Sequence, residues 1–410
     1  MNRDQIAELE KRVLIPTYDR LPILAVQGEG CYIYDDTGKK YLDFLGGLAV
    51  NSLGYNHAEI MATLRDPAET LLHVSNLLYH RYQAPLAEKL TRLSGMDRAF
   101  FANSGTEAIE GAMKLSRAYA RKHAAPGPFE RFEILALENS FHGRTFGALS
   151  ATWPKKYREP FEPLPPGVRF VRLNDTAHLR ESFTPQVAAV MVEVIQGEGG
   201  IVEIGEDFLK AAAELCQTHG ALLICDEIQC GLGRTGRMFT FTKFGLQPDI
   251  VVVAKPLAAG LPLAAILARE EVAQAFSPGM HGTTFGGGPL QCRVALKVLE
   301  ILERPGFLAH VTEVGAYFRQ ELEKLRDDLT VVQEVRGDGL MTAVELIAPG
   351  KSVVRQALEA GLLLNCTQEK VLRFLPPLII EKQHVDEALG ILRPILAALE
   401  PEAAVKGVNA

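Results

Sequence analysis

The sequence predicts an α/β fold, a mainly parallel sheet flanked by helices, joined to a smaller α+β unit built from both ends of the chain. Three observations carry this. Through the middle of the chain short β-branched runs alternate with helical patterns, as parallel strands require because each crossover needs a connecting element. Beyond about residue 310 the pattern changes to a long charged helix followed by strands. The length, 410 residues at 47% hydrophobic composition, suits a large core divided between two structural units.

Residues 1–60 are expected to pack with the C-terminal unit, residues 61–310 to form the large domain and residues 311–410 the small one. In the large domain strands are expected at Arg98–Ala102, Glu133–Leu137, Val187–Val194, Ala221–Cys225, Ile250–Val253 and Ala264–Ala268. Helices are expected at Glu107–Lys122, where Ala108, Ala112, Leu115 and Tyr119 recur at helical spacing, and at Glu206–His219. The small domain should hold helices at Leu308–Arg326, Val353–Ala360 and His384–Leu399, with strands around Val331–Val335 and Leu340–Leu346. The tail Glu400–Ala410 reads as frayed.

A net charge of −7 and no Lys/Arg block argue against a nucleic-acid partner. The first ten residues lack the apolar stretch of a secretory signal, and Lys255, Pro256, Gly260 and Pro262 break the one apolar run of membrane-spanning length. A cytoplasmic protein without a membrane partner is therefore expected. Six scattered cysteines without a CxxC pair fit reduced thiols.

Two strands end in opposite charges: Ala221–Cys225 runs into Asp226, and Ile250–Val253 leads through Ala254 to Lys255. That pairing suggests pyridoxal phosphate. A carboxylate at the pyridine nitrogen keeps the ring an electron sink, and a lysine holds the aldehyde carbon as a Schiff base. Each residue also has an ordinary reading, since Asp226 can cap the next element or pair with Arg234 or Arg237. Lys255 can be the first solvated residue after a strand.

Ser104-Gly-Thr-Glu107 follows a strand and opens a helix. Gly105 lets a phosphate approach, and free amides with the Ser104 and Thr106 hydroxyls donate to it. The same residues also spell a capping box, Ser104 to Glu107. Phe141-His-Gly-Arg144 lies at the carboxyl end of a strand, where ligands of open α/β sheets bind. Phe141 suits one face of the cofactor ring, and Arg144 suits a carboxylate or plain solvation. His142, without a visible partner, reads as structural. Glu193 and Glu198 flank a glycine-rich loop; no metal or paired-carboxylate site follows, and Glu198 also fits a surface turn. In Asp226-Glu-Ile-Gln229, Ile228 suits the ring face opposite Phe141, and the Gln229 amide suits the phenolic oxygen.

Together with Gly46–Gly54, Gln196–Gly200, His281–Gly287 and Leu372–Pro377, these motifs closely resemble the class III aminotransferases of fold type I, among them the acetylornithine group. The resemblance runs over nearly the whole chain. It implies that Lys255 anchors the cofactor and moves the proton, and that Gly105 and Thr106 bind its phosphate. It further implies a homodimer with shared sites, in which Thr284 binds the neighbouring subunit's phosphate and Thr283 its substrate. Arg144 would hold the first substrate's carboxylate and Arg373 the second carboxylate of glutamate, with Glu198 neutralising Arg373 when no carboxylate is there. Leu48 stands where ornithine aminotransferases carry a tyrosine that reads a free amino-acid head.

The reaction so implied moves the δ-amino group of N-acetylornithine to 2-oxoglutarate, in arginine biosynthesis. Ornithine, 4-aminobutyrate, succinyldiaminopimelate and carrier-linked lysine-pathway amines are alternative substrates. A non-catalytic cofactor-binding protein is the alternative outside enzymes, whereas a dehydrogenase would require a GxGxxG directly after the first strand of a βαβ unit, and none stands there.

Overall fold

The computed structural model describes residues 1–123 and 131–399, so the tail expected to fray lies outside the described residues. Its largest sheet has seven strands: β1 (Arg98–Ala102), β2 (Glu133–Leu137), β3 (Val168–Val171), β4 (Val187–Val192), β5 (Leu222–Asp226), β6 (Ile250–Val253) and β7 (Ala264–Ala268). Their order is β1-β7-β6-β5-β4-β2-β3. All pairings are parallel except those of β7, which runs antiparallel to both neighbours. Alternation of strands and helices announced the parallel strands, but a strand's composition says nothing about its direction.

Central strands β4, β5, β6 and β7 are buried at every residue, as strands covered on both faces must be. Burying each Val, Leu or Ile side chain there contributes roughly 1.5–3 kcal/mol over exposure. The sequence pattern did not reveal β3, whose Val-Arg-Phe-Val run is interrupted by Arg169. At the sheet edge that arginine reaches sideways to Glu133 at 2.7 Å, and its row of unpaired backbone is thereby left beside charge.

Helix α1 (Gly105–Lys122) covers one face, burying Ala108, Ile109, Ala112, Met113 and Leu115; Tyr119 is half-buried. It begins two residues earlier than its periodicity suggests because Ser104 and Glu107 form a complete capping box. Helix α2 (Glu206–His219) runs over the predicted residues and stops at Gly220, left-handed at φ 62°.

A second, four-stranded antiparallel sheet comprises Val332–Asp338, Met341–Leu346, Val371–Phe374 and Asn365–Thr367, in that order. The N-terminal strand Lys40–Asp43 pairs in parallel with Leu362–Leu363. Phe44, Phe318 and Phe374 then meet edge to face, their ring centroids 5.3–6.4 Å apart. Among the described residues no helix is long and apolar enough to cross a membrane.

Candidate active site

The parallel strands all deliver their carboxyl ends to one side of the sheet. There Asn103–Thr106 follow β1, Phe141–Arg144 follow β2, Glu193 and Glu198 follow β4, Asp226 ends β5 and Lys255 follows β6. They enclose a cavity of about 420 Å³. Ser104, Gly105, Thr106, Phe141, Arg144, Glu198, Asp226, Ile228, Gln229 and Lys255 all line it. Thr283, Thr284, Arg373 and Leu48 do not.

At the start of α1, Ser104 Oγ accepts from the Glu107 amide and the Glu107 carboxylate accepts from the Ser104 amide. The box spends those groups. It leaves the amides of Gly105 and Thr106, which have no intrahelical acceptor, facing the cavity at the positive end of an 18-residue helix. A complete capping box and unspent helix-end amides therefore coexist. Any side chain at Gly105 would begin 2.9 Å from Ile228 Cδ1, so glycine here also lets Ile228 close over the helix end.

The Thr106 hydroxyl departs from the expectation that it donates to an anion. Its Oγ1 accepts from the amides of Arg144 and Thr145 and shares a hydrogen bond with Thr145 Oγ1. It holds the arginine loop, leaving the Thr106 amide for a phosphate. Gly143, at φ 142°, makes this approach feasible, since a Cβ there would lie 2.3 Å from Thr106 Oγ1.

Asp226 is buried and pairs with neither Arg234 nor Arg237. Its Oδ1 accepts from the Ile228 amide, and its Oδ2 lies 2.7 Å from His142 Nδ1. His142, read from sequence as structural and unpartnered, is thus a functional candidate that the sequence missed. Burial disfavours its protonation, but the hydrogen bond and charge of Asp226, with Glu193 beyond, outweigh burial and raise its pKa. Glu193 accepts backbone amides from Phe141 and Gly197, tying the Phe141 loop to the Glu198 loop. Burial pushes its carboxyl up to about 7.

Lys255 stands at the cavity wall with no hydrogen bond or ion pair to any described residue. Burial lowers its pKa, opposed by Glu198 and assisted by Arg373. A more accessible neutral amine is what nucleophilic attachment to an aldehyde needs. These features fit pyridoxal phosphate: free helix-end amides for the phosphate, a buried carboxylate for the ring nitrogen and an unpartnered amine. Gln229 completes the wall, its Oε1 3.4 Å from Arg373 Nη1, so that Nε2 is the donor end.

Arg373 is buried and ion-paired to Glu198 at 2.6 Å, with Asn365 Oδ1 on its Nε. Thr367 Oγ1 and Gln368 Nε2 both donate to the Glu198 carbonyl, which leaves its carboxylate as the part able to swing. Arg144 is exposed, its side chain without a hydrogen-bonded partner, and its guanidinium carbon lies 3.8 Å from the Tyr157 ring centroid. Tyr157 is a second neighbour that no sequence signal marked.

Leu48 sits in a run of four left-handed residues, Gly46 to Ala49, with φ between 58° and 68°. Asp43 holds this turn by accepting the Leu45 and Gly46 amides. The strain is of order 1 kcal/mol or more per non-glycine residue. Leu48 is turned to the surface, 41% exposed, and Val50 lines the cavity in its stead.

Thr284 is exposed and Thr283 half-buried, beside a separate groove with His281 and Phe285. Around them Leu77, Leu78, Tyr79, Met280 and Phe285 are all exposed, and Asn76 ties the two segments through the Thr283 and Gly286 carbonyls. Patches of this kind mark contact surfaces.

One buried acid near the site gives a pH signature. Glu227, enclosed beside Asp226, accepts the Thr240 and Phe241 amides, and burial pushes its carboxyl up to about 7. Its folded pKa exceeds its unfolded value, so its contribution to stability is full below about 4.5 and is lost as pH rises through about 7. Glu227→Gln should lower stability by about 1–3 kcal/mol overall. It should also narrow the gap between thermal midpoints measured at pH 5 and pH 8.

The family model described as aminotransferase class-III matches residues 14–396. The chain belongs to that family. This class III aminotransferase is 46% identical to acetylornithine aminotransferase of Methanocaldococcus jannaschii, over 98% of this chain and all of that one. It is 48% identical to the Aquifex aeolicus enzyme of the same name, over 93% and 99% of the two chains. Its fold is similar to the solved ornithine aminotransferase of Toxoplasma gondii, with TM-score 0.92, 32% identity, and 97% and 94% of the two chains covered. That structure carries pyridoxal phosphate at partial occupancy in its active site. Enzymes of this family are pyridoxal phosphate-dependent, in agreement with the cavity of the present aminotransferase.

Proposed function

We propose that the chain transfers the δ-amino group of N-acetylornithine to 2-oxoglutarate in two half-reactions, with pyridoxal phosphate as cofactor, in arginine biosynthesis. The observation that carries the chemistry is the meeting of Asp226 and Lys255 at one cavity whose floor is the amino end of α1. The acyl-amine substrate is supported by the names of the two relatives at 46% and 48% identity.

Bound pyridoxal phosphate supplies an electron sink that acidifies the carbon carrying the substrate nitrogen. The amides of Gly105 and Thr106 would hold its phosphate, with Ser104 able to donate its hydroxyl proton. Phe141 and Ile228 would flank the ring, Asp226 would hold a proton at the ring nitrogen and Gln229 Nε2 would donate to the phenolic oxygen. Lys255 Nζ would anchor the group and, once the substrate amine has displaced it and freed it as an amine, would take up and return the substrate proton.

Arg144 offers its free donors to the carboxylate of the acylated amine. Arg373, closed by Glu198 in this structure, presents no net charge to a neutral acylated end. Glutamate opens the pair by offering its own carboxylate, to which an arginine binds in two-pronged fashion. A homodimer in which Thr283 and Thr284 reach the partner's site agrees with their exposed, apolar surroundings. All six cysteines are free, as a reducing cytoplasm maintains them.

The substrate is tested by following the cofactor's visible absorbance on mixing with N-acetylornithine, ornithine or 4-aminobutyrate. N-acetylornithine should react with at least about tenfold higher kcat/KM, a difference of about 1.4 kcal/mol. Equal rates with free ornithine would sink the acyl-amine reading. Glu198→Ala should move the ratio of kcat/KM between N-acetylornithine and glutamate by about tenfold, toward glutamate. An unchanged ratio would count against the switching pair.

A further inference from the structure

We propose that Tyr157 is a specificity-positioning residue, whose ring holds the Arg144 guanidinium in the orientation that receives the substrate carboxylate. This rests on the reading of Arg144 as the carboxylate anchor.

Arg144 has an unusual combination of contacts. Its backbone amide is pegged to Thr106 Oγ1, so its Cα is fixed relative to the helix end that cradles phosphate. Its side chain is exposed and meets no carboxylate, hydroxyl or carbonyl among the described residues. Left alone, an arginine of this kind samples many rotamers, and ordering it on each binding event weakens binding. Here two aromatic rings stand against it. Its guanidinium carbon is 3.8 Å from the Tyr157 centroid and 5.6 Å from that of Phe141. The first distance is stacking contact, and the second lies near the limit at which a ring still attracts a cation.

The geometry suits a carboxylate. Stacking uses the face of the planar guanidinium and leaves its N–H edge free, and that edge makes the paired hydrogen bonds to two carboxylate oxygens. A hydrogen-bonded or ion-paired anchor would have to be displaced by substrate, whereas a stacked one keeps its support when the substrate arrives. Lys156, its Nζ 5.1 Å from the same centroid, adds positive field at this mouth without occupying the guanidinium's donors.

Tyr157 is itself held in place. It lies in the short helix Lys155–Arg158, and its amide donates to the Pro154 carbonyl. The Trp153 amide donates to the carbonyl of Ser140, the residue before Phe141, and Ser140 Oγ donates to the Ala151 carbonyl. Arg158 closes the turn on the Trp153 carbonyl and packs over Phe170. The shelf under Arg144 is thus bonded to the loop that carries Phe141. Phe141 and Tyr157 meet edge to face at 6.1 Å and 84°. The ring-stacking residue and the carboxylate anchor share one support.

The test compares Tyr157→Leu, Tyr157→Phe and Arg144→Gln in the holoenzyme, reading KM and kcat for N-acetylornithine with 2-oxoglutarate saturating. Tyr157→Leu should raise KM about fivefold, the loss of one partly exposed cation–ring contact, with kcat changed less than twofold. Tyr157→Phe, which keeps the ring face and removes the hydroxyl, should restore KM to within about twofold of the parent. Arg144→Gln should raise KM further than either. A Tyr157→Leu protein with parental KM, beside an Arg144→Gln protein with raised KM, overturns the role of Tyr157 and spares that of Arg144. A fall in kcat with KM unchanged, or failure of phenylalanine to rescue, also overturns it. Parental KM in Arg144→Gln shows instead that the carboxylate anchor itself was misassigned.

Discussion

Lys255→Ala should leave a folded protein whose turnover has fallen by about four orders of magnitude or more, the upper range for loss of a positioned general acid–base group. The size of the effect follows from what no other residue offers. Lys255 is the amine at the cavity wall, it has no hydrogen-bonded or ion-paired partner among the described residues, and burial lowers its pKa. Truncation costs little stability because no bond is broken and an amine in a poorly solvated place is removed. The nearest candidates to replace it are otherwise engaged. Glu198 is paired with Arg373 and Glu193 holds two backbone amides. Stopped assays over hours, with circular dichroism to verify folding, measure it; a loss under about tenfold would mean that another group moves the proton.

Asp226→Asn should lower kcat by about a thousandfold, near 4 kcal/mol of transition-state stabilisation, with a smaller change in stability. The amide is nearly the same shape and its oxygen can still accept from the Ile228 amide, so the loop after β5 keeps its form. What disappears is a buried negative charge directed at a cationic ring nitrogen, worth far more in a closed site than in water. His142 provides an independent readout. Burial works against its protonation, and its pKa is raised because the bond and charge of Asp226, with the charge of Glu193, outweigh burial. In the variant burial should win and His142 should lose its proton at lower pH than in the parent, which NMR of the imidazole measures. A His142 titration that stays put while kcat falls would separate the two roles assigned to the carboxylate.

What the sequence made legible was local. Ser104 to Glu107 reads as a strand-to-helix junction because capping and anion binding draw on the same few amides, and the structure shows the box formed by Ser104 and Glu107 with the amides of Gly105 and Thr106 outside it. Asp226 and Lys255 stood out because a charge at the end of an apolar strand is conspicuous. Partnerships across the fold were not legible. His142 meets Asp226 across 84 positions of sequence, and Tyr157 meets Arg144 through a turn that no periodicity marks. Leu48 follows the same logic: the resemblance set it where relatives carry a substrate-reading tyrosine, but in a run of four left-handed residues it is turned outward, and Val50 lines the cavity. The antiparallel course of β7 and the arginine-interrupted β3 depend on pairing and edge position, which the composition of one strand does not encode.

The central claim is that Lys255 anchors pyridoxal phosphate at the cavity formed by Asp226 and the amino end of α1. It is tested most directly by an absorbance spectrum of the purified protein incubated with the cofactor, before and after borohydride, followed by peptide mass analysis. A yellow protein that bleaches and carries the reduced pyridoxyl group on the Lys255 peptide is the predicted result. A colourless protein that takes up no cofactor, or label fixed at another lysine, would contradict it.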